Sequence, residues 1–167
     1  MSASVDPQYL LEGAVFALEQ SGVLLRDAAL LYRSGSHASG VALAAFAREE
    51  LGRWKILLSL RGNVFNGETL TIDDIKARCE DHRHEQRESA LYVDPISPDR
   101  WNRPSAAISR EFARQFIEDA RNDYAIQCLN RYNDFAVLRD VDAELCKALE
   151  GWSDRPTLPL PEGPLPF

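Results

Sequence analysis

The chain has 167 residues, 45% of them hydrophobic and 27% charged, with a net charge of −7. That length fits one domain, and the apolar content is enough for a core, which excludes a disordered chain. The acidic balance excludes a protein that grips nucleic acid over a broad basic face, so any RNA contact has to be local.

The N-terminus, Met-Ser-Ala-Ser-Val-Asp-Pro, lacks the basic segment and apolar run of a signal peptide. The first helix is expected to open at Asp6-Pro7, with Asp6 as N-cap and Pro7 at the first helical position. Leu11, Ala14, Leu18, Leu25, Ala28 and Tyr32 then mark its inward seam, and Ser34-Gly35-Ser36 breaks it.

The second helix is expected over His37 to Leu60, with two inward stripes. One holds Leu43, Ala47, Glu50, Trp54 and Leu57; the other holds Ala42, Ala45, Glu49, Gly52 and Ile56. Apolar residues on so much of its surface predict a central position. The run Val41 to Leu60 nevertheless carries Arg48, Glu49, Glu50, Arg53 and Lys55, five charges that argue against a membrane span. The segment from Arg61 to Glu68, with Gly62, Asn63, Asn66 and Gly67, reads as a loop.

A third helix is expected to open at Thr71, with Asp74 three residues on, close to a capping box. Its only inward stripe is Ile75, Cys79, His82 and Gln86. The prolines at 95, 98 and 104 make Leu91 to Pro104 an ordered loop or extended crossing, anchored by Tyr92 and Trp101. A fourth helix starts after Pro104, with Ser105 as a cap, and shows the stripe Phe112, Phe116, Ala120 and Tyr124. No Gly or Pro occurs from Ser105 to Glu150, but one helix of that length would be unusual in a compact domain. A break near Asn130 to Asp134 is therefore expected, followed by a shorter helix through Val137, Val141, Leu145 and Leu149.

From Trp152 onward, prolines at 156, 159, 161, 164 and 166 indicate a polyproline-like tail. The expected organisation is one helical domain over residues 1–150 and a proline-rich tail over 151–167. No repeat and no strand-like alternation stands out. The fold class is all-α, an up-and-down four-helix bundle with an extra C-terminal helix.

Two features carry chemistry. The first is the pair Glu49-Glu50: a carboxylate in a central helix needs a cationic or hydrogen-bonding partner, because burying it alone costs several kcal/mol. The second is the run Arg78-Cys-Glu-Asp-His82-Arg-His84. Four residues apart on a helix, Arg78 and His82 lie about 40° apart and share a face, whereas His84 points elsewhere. A histidine near neutral pKa moves protons, and an arginine beside it holds a phosphate or stabilises charge in phosphoryl transfer. With an RNA 2′-hydroxyl these groups suffice for metal-free cleavage, unless His82 is simply a satisfied core residue.

No metal or cofactor is expected. Asp81-x-x-His84 is half of a carboxylate-bridged di-metal motif, but the remaining histidine, His37, has no carboxylate three residues before it. The cysteines Cys79, Cys128 and Cys146 show neither a CxxC pair nor zinc spacing, which fits a reducing, cytoplasmic compartment. Cys79 follows Arg78, yet no Cys/His/Asn arrangement is recognisable, so a semi-buried thiol is expected there.

The run Ala38-Ser-Gly-Val-Ala-Leu-Ala-Ala-Phe-Ala-Arg-Glu-Glu-Leu-Gly52-Arg-Trp-Lys resembles the signature of AbiV-type abortive-infection proteins, within the HEPN superfamily of helical bundles. Leu24-Leu-Arg-Asp-Ala-Ala-Leu-Leu upstream, Asp81-His82 and Leu91-Tyr-Val-Asp94 are similar too, in the same order. The resemblance implies a bundle that forms homodimers and a role in antiphage defence, often by arresting translation or cleaving RNA. Arg78 and His84 have the spacing of the Arg…His pair in many HEPN ribonucleases, whereas His82 stands at the position matching the AbiV-type pattern.

Arg78, His82, His84, Glu49 and Glu50 are therefore the candidate catalytic residues, with Arg53, Arg83 and Arg87 as RNA-binding candidates. Arg53 follows Gly52 where a lysine is usual, and Glu85 stands where a basic residue is expected. The alternative is a non-catalytic module that senses a phage protein or a defence partner. A phage protein could also activate a latent nuclease.

Overall fold

The computed structural model describes residues 4–80, 95–97, 100–101, 107–129 and 136–150. In chain order the elements are α1 (Pro7–Arg33), α2 (His37–Phe65), α3 (Ile72–Cys79), β1 (Pro95–Ser97), β2 (Arg100–Trp101), α4 (Arg110–Leu129) and α5 (Ala136–Ala148). The fold is all-α in its architecture. The two strands form a minimal antiparallel hairpin, pairing Pro95 with Trp101 and Ser97 with Arg100, where the sequence suggested an ordered loop or extended crossing.

Helix α1 starts as its sequence dictates. The Asp6 carboxylate accepts the Gln8 N–H at 2.7 Å and Pro7 occupies the first turn. Its buried face includes Leu10, Ala14, Leu18, Leu25 and Ala28, while the seam residues Leu11 and Tyr32 stay half-buried. Ser34 to Ser36 turn the chain, with Gly35 at φ 86°, and α2 returns antiparallel. The pairing is close because both helices present small residues. Ser21 Oγ donates to the Ala47 carbonyl at 2.8 Å, and a Cβ on Gly40 would stand 3.1 Å from the Ala28 carbonyl oxygen.

Helix α2 is longer than expected. It runs to Phe65, so Arg61 to Phe65 belong to the helix and not to a loop. The Arg61 guanidinium lies over the Phe65 ring at 4.9 Å, one turn on, and only at Asn66-Gly67 does the backbone leave the helix, with Gly67 at φ 96°. Along α2 the apolar members of the expected stripes, Ala42, Ala45, Ala47, Trp54 and Leu57, are buried; Glu49 and Glu50 are half-buried.

Helix α3 opens with a complete capping box. Thr71 Oγ1 accepts the Asp74 N–H, and Asp74 Oδ2 accepts the Thr71 N–H at 2.8 Å. Helix α4 is capped by Ser109, whose Oγ accepts the Phe112 N–H at 3.1 Å. Its start therefore lies beyond Ser105, the expected cap, which falls outside the described residues. The same start explains a second correction: Phe112 is 44% exposed, and the inward stripe is Ala113, Phe116, Ile117, Ala120 and Tyr124.

Helix α4 ends at Leu129 and α5 begins at Ala136, so the long Gly- and Pro-free stretch forms two helices. The expected fourth and extra helices are thus both long members of the bundle. Helix α5 packs on α1 and α4 packs on both α1 and α2, whereas α3 is a short element on the flank of α2. The expected break itself, the anchors Tyr92 and Trp101, residue Val137 and the tail from Trp152 lie outside the described side chains. Among the described residues, no helix is long and apolar enough to cross a membrane.

Candidate functional site: a three-helix cleft beside Arg78

Helices α1, α2 and α3 enclose a cleft of about 590 Å³. Each presents one face to it. On α1, Tyr9, Glu12, Gly13 and Phe16 recur at the three- and four-residue spacing of a single helical stripe. Glu49, Arg53 and Leu57 supply the α2 side, one residue per turn. Helix α3 contributes Ile75, Lys76, Cys79 and Glu80. Tyr9 and Phe16 are 55% and 65% exposed, so their rings form an open aromatic rim above a floor that includes the buried Leu10 and Leu57.

The carboxylates of α2 find their place here. Glu50 Oε1 accepts from Arg53 Nη1 one turn later on the same helix. Arg53 also faces the Cys79 thiol. Burial pushes the Cys79 pKa up, the nearby Arg53 guanidinium opposes that shift, and the Glu50 carboxylate adds to it. The thiol is therefore protonated at neutral pH, in keeping with a semi-buried cysteine and not with a nucleophile. Glu49 lines the cleft itself.

Arg78 finds its partner outside α2. Its Nη2 donates to Glu68 Oε1 at 2.8 Å, across the turn that joins α2 to α3. The guanidinium side chain is 46% exposed, and Arg78 stands one residue before the lining residue Cys79 without itself lining the cleft. The structure thus brings Glu49, Glu50 and Arg53 together with Cys79, and pairs Arg78 with Glu68. His82, His84, Arg83 and Arg87 lie outside the described residues. Among the described residues no group of three or more His, Cys, Asp or Glu side chains is placed to hold a metal ion.

Sequence reasoning missed the α1 wall. Tyr9, Glu12 and Phe16 fall off the core seam of α1 and were silent in its periodicity. Their mutual spacing was the available signal. It also missed Arg53 as the partner of Glu50, although the i, i+3 pair is visible in the sequence.

The family model described as AbiV matches residues 9–84, a segment that spans α1, α2, α3 and all three walls of the cleft and continues through His84. Searches of curated proteins and of solved structures gave no match. Over this segment, 76 of the 167 residues, the chain is similar to the AbiV family of HEPN proteins.

Proposed function

We propose that the protein is a metal-independent ribonuclease of antiphage defence, acting as a homodimer and arresting translation by cutting RNA. The observation that carries this reading is the state of Arg78. Its guanidinium is half-exposed at the end of α3 and, among the described residues, forms an ion pair with Glu68, itself at the surface. Such a pair is worth at most about 1 kcal/mol, so a phosphate can displace the carboxylate at little cost.

In the proposed reaction His82 or His84 takes the proton of the ribose 2′-hydroxyl. The 2′-oxygen attacks phosphorus, Arg78 stabilises the charge on the pentacoordinate phosphorane, and the 5′-oxygen leaves with a proton. The products are a 2′,3′-cyclic phosphate and a 5′-hydroxyl. Glu50 keeps Arg53 in place, Glu49 borders the reacting region, and Arg83 and Arg87 hold the RNA backbone.

The test is cleavage of RNA by purified protein in the presence of EDTA, with growth arrest measured alongside. Arg78→Ala should lose both, as should whichever of His82→Ala and His84→Ala removes the base. Retention of both activities in all three variants overturns the proposal. A second reading, a non-catalytic module that captures a phage protein, draws on the net charge of −7 and the exposed rings of Tyr9 and Phe16. It gains support if the wild-type protein leaves RNA intact while binding such a protein.

A further inference from the structure

We propose that the cleft between α1, α2 and α3 is a base-recognition subsite that seats a guanine of the RNA next to the cleaved linkage. This inference rests on the ribonuclease reading for its substrate and goes beyond it in assigning specificity. It begins with the sorting of charge. Three carboxylates, Glu12, Glu49 and Glu80, border the cleft against two cations, Arg53 and Lys76. Both cations already have acidic partners, Arg53 in Glu50 and Lys76 in Asp73 at 3.8 Å. A phosphate is therefore repelled from the interior, while the half-exposed Arg78, one residue from the lining residue Cys79, offers it a site outside. What enters is the neutral part of the nucleotide.

The walls suit a flat ring. The cleft volume of about 590 Å³ falls inside the range of about 300–1,000 Å³ common for small-ligand sites. Tyr9 and Phe16 stand two turns apart on one face of α1, about 10 Å along its axis, and single-stranded RNA is read by stacking splayed bases on such exposed rings. Gly13 lies between them. A Cβ there would stand 3.5 Å from Leu57 Cδ1, an ordinary contact, so the missing side chain is not required by backbone packing and instead leaves the floor open.

The choice of base follows from Glu12. Glu12 lines the cleft from a position between Tyr9 and Phe16 along α1, and its Oε1 accepts from Gln8 Nε2 at 3.3 Å. A carboxylate accepts two parallel hydrogen bonds from a ligand with two adjacent N–H donors. Guanine presents that edge, through N1–H and the N2 amino group. Adenine and cytosine set an acceptor beside their amino donor, and uracil has one N–H between two carbonyls.

The experiment uses 2′-O-methyl oligonucleotides, which lack the attacking hydroxyl, so binding is read without cleavage. Fluorescence anisotropy compares an all-uridine oligomer with one carrying a single guanosine. The guanosine oligomer should bind the wild type at least about tenfold more tightly, the loss expected from one stacking and hydrogen-bonding site. Glu12→Gln and Gly13→Leu should abolish the difference, and Phe16→Ala should weaken the guanosine oligomer by about tenfold, each variant first checked for a native circular-dichroism spectrum. Equal or undetectable binding of both oligomers by the wild type overturns the proposal, as does a preference that survives in Glu12→Gln and Gly13→Leu. Mapping the 5′-hydroxyl ends of cleaved RNA separates the two readings. Cleavage without base preference leaves the nuclease and removes the subsite; preferential binding without any cleavage does the reverse.

Discussion

Replacing Gly22 with alanine should destabilise the bundle, although the same change in an open helix would stabilise it. Gly22 is buried in α1 where α4 and α5 both converge. A methyl there would come within 2.5 Å of Tyr124 Oη and 2.8 Å of Tyr124 Cζ, and would press on Val141 Cγ1. Tyr124 is fully buried and Val141 nearly so, which leaves neither side chain a free direction of retreat. Alanine gains about 1 kcal/mol over glycine in helix propensity. Overpacking a tight core costs about 1–3 kcal/mol, occasionally more, and contacts this short on a rigid ring belong at the upper end. The net expectation is a loss of about 2 kcal/mol. In urea denaturation followed by circular dichroism, with a slope of about 2 kcal/mol/M, the midpoint should fall by about 1 M. Gly13→Ala is the internal control, because its new methyl meets only Leu57 Cδ1 at 3.5 Å, and its midpoint should hold or rise. Val141→Ala in the Gly22→Ala background should recover part of the loss, since touching sites are not additive. A midpoint for Gly22→Ala equal to or above that of the wild type would refute the reasoning.

Three further outcomes follow from the same structure. Asp74 has its carboxyl pKa lowered, first by the Thr71 hydroxyl and then by the Thr71 N–H; the folded value lies below the unfolded one, so its support for α3 is present above about pH 4 and is lost as pH falls further. Amide exchange in α3 should accelerate in that acidic window, and Thr71→Ala, with a cap loss of about 1 kcal/mol, should accelerate it at neutral pH as well. Alkylation followed by mass spectrometry should modify the exposed Cys146 first and Cys79 more slowly, its thiol being half-buried and raised in pKa, with the fully buried Cys128 reacting only on unfolding. Ser21→Ala should cost about 1 kcal/mol in urea denaturation, because it removes a buried hydrogen bond from Ser21 Oγ to the Ala47 carbonyl.

Local chemistry made much of this fold legible. Asp6-Pro7 and the Thr71…Asp74 box announce helix starts because the capping groups lie within three residues of the N–H groups they satisfy. Arg61 to Phe65 were misread because Gly62 and Asn63 look like loop formers, yet at the last turn of a helix already fixed by packing they cost little. Phe112 was assigned inward for want of the cap at Ser109, which sets where the stripe begins.

The candidate site was less legible for a different reason. Glu50 reaches Arg53 within its own helix, where no loop has to be ordered, and so Arg78 is left to Glu68. The α1 wall of the cleft carries no periodic core signal, because Tyr9 and Phe16 are exposed and their partners come from two other helices.

Helix α3 buries none of its eight residues. Its attachment draws on the half-buried Ile75 and Cys79, the Arg78–Glu68 ion pair and a capping box, and detaching it asks for far less free energy than melting the bundle. A thermal scan would register the bundle and stay blind to whether the arginine-bearing helix is seated. Any ligand that prefers the seated form can set the occupancy of that state by its own concentration, so a trigger acting on this helix needs to supply little free energy.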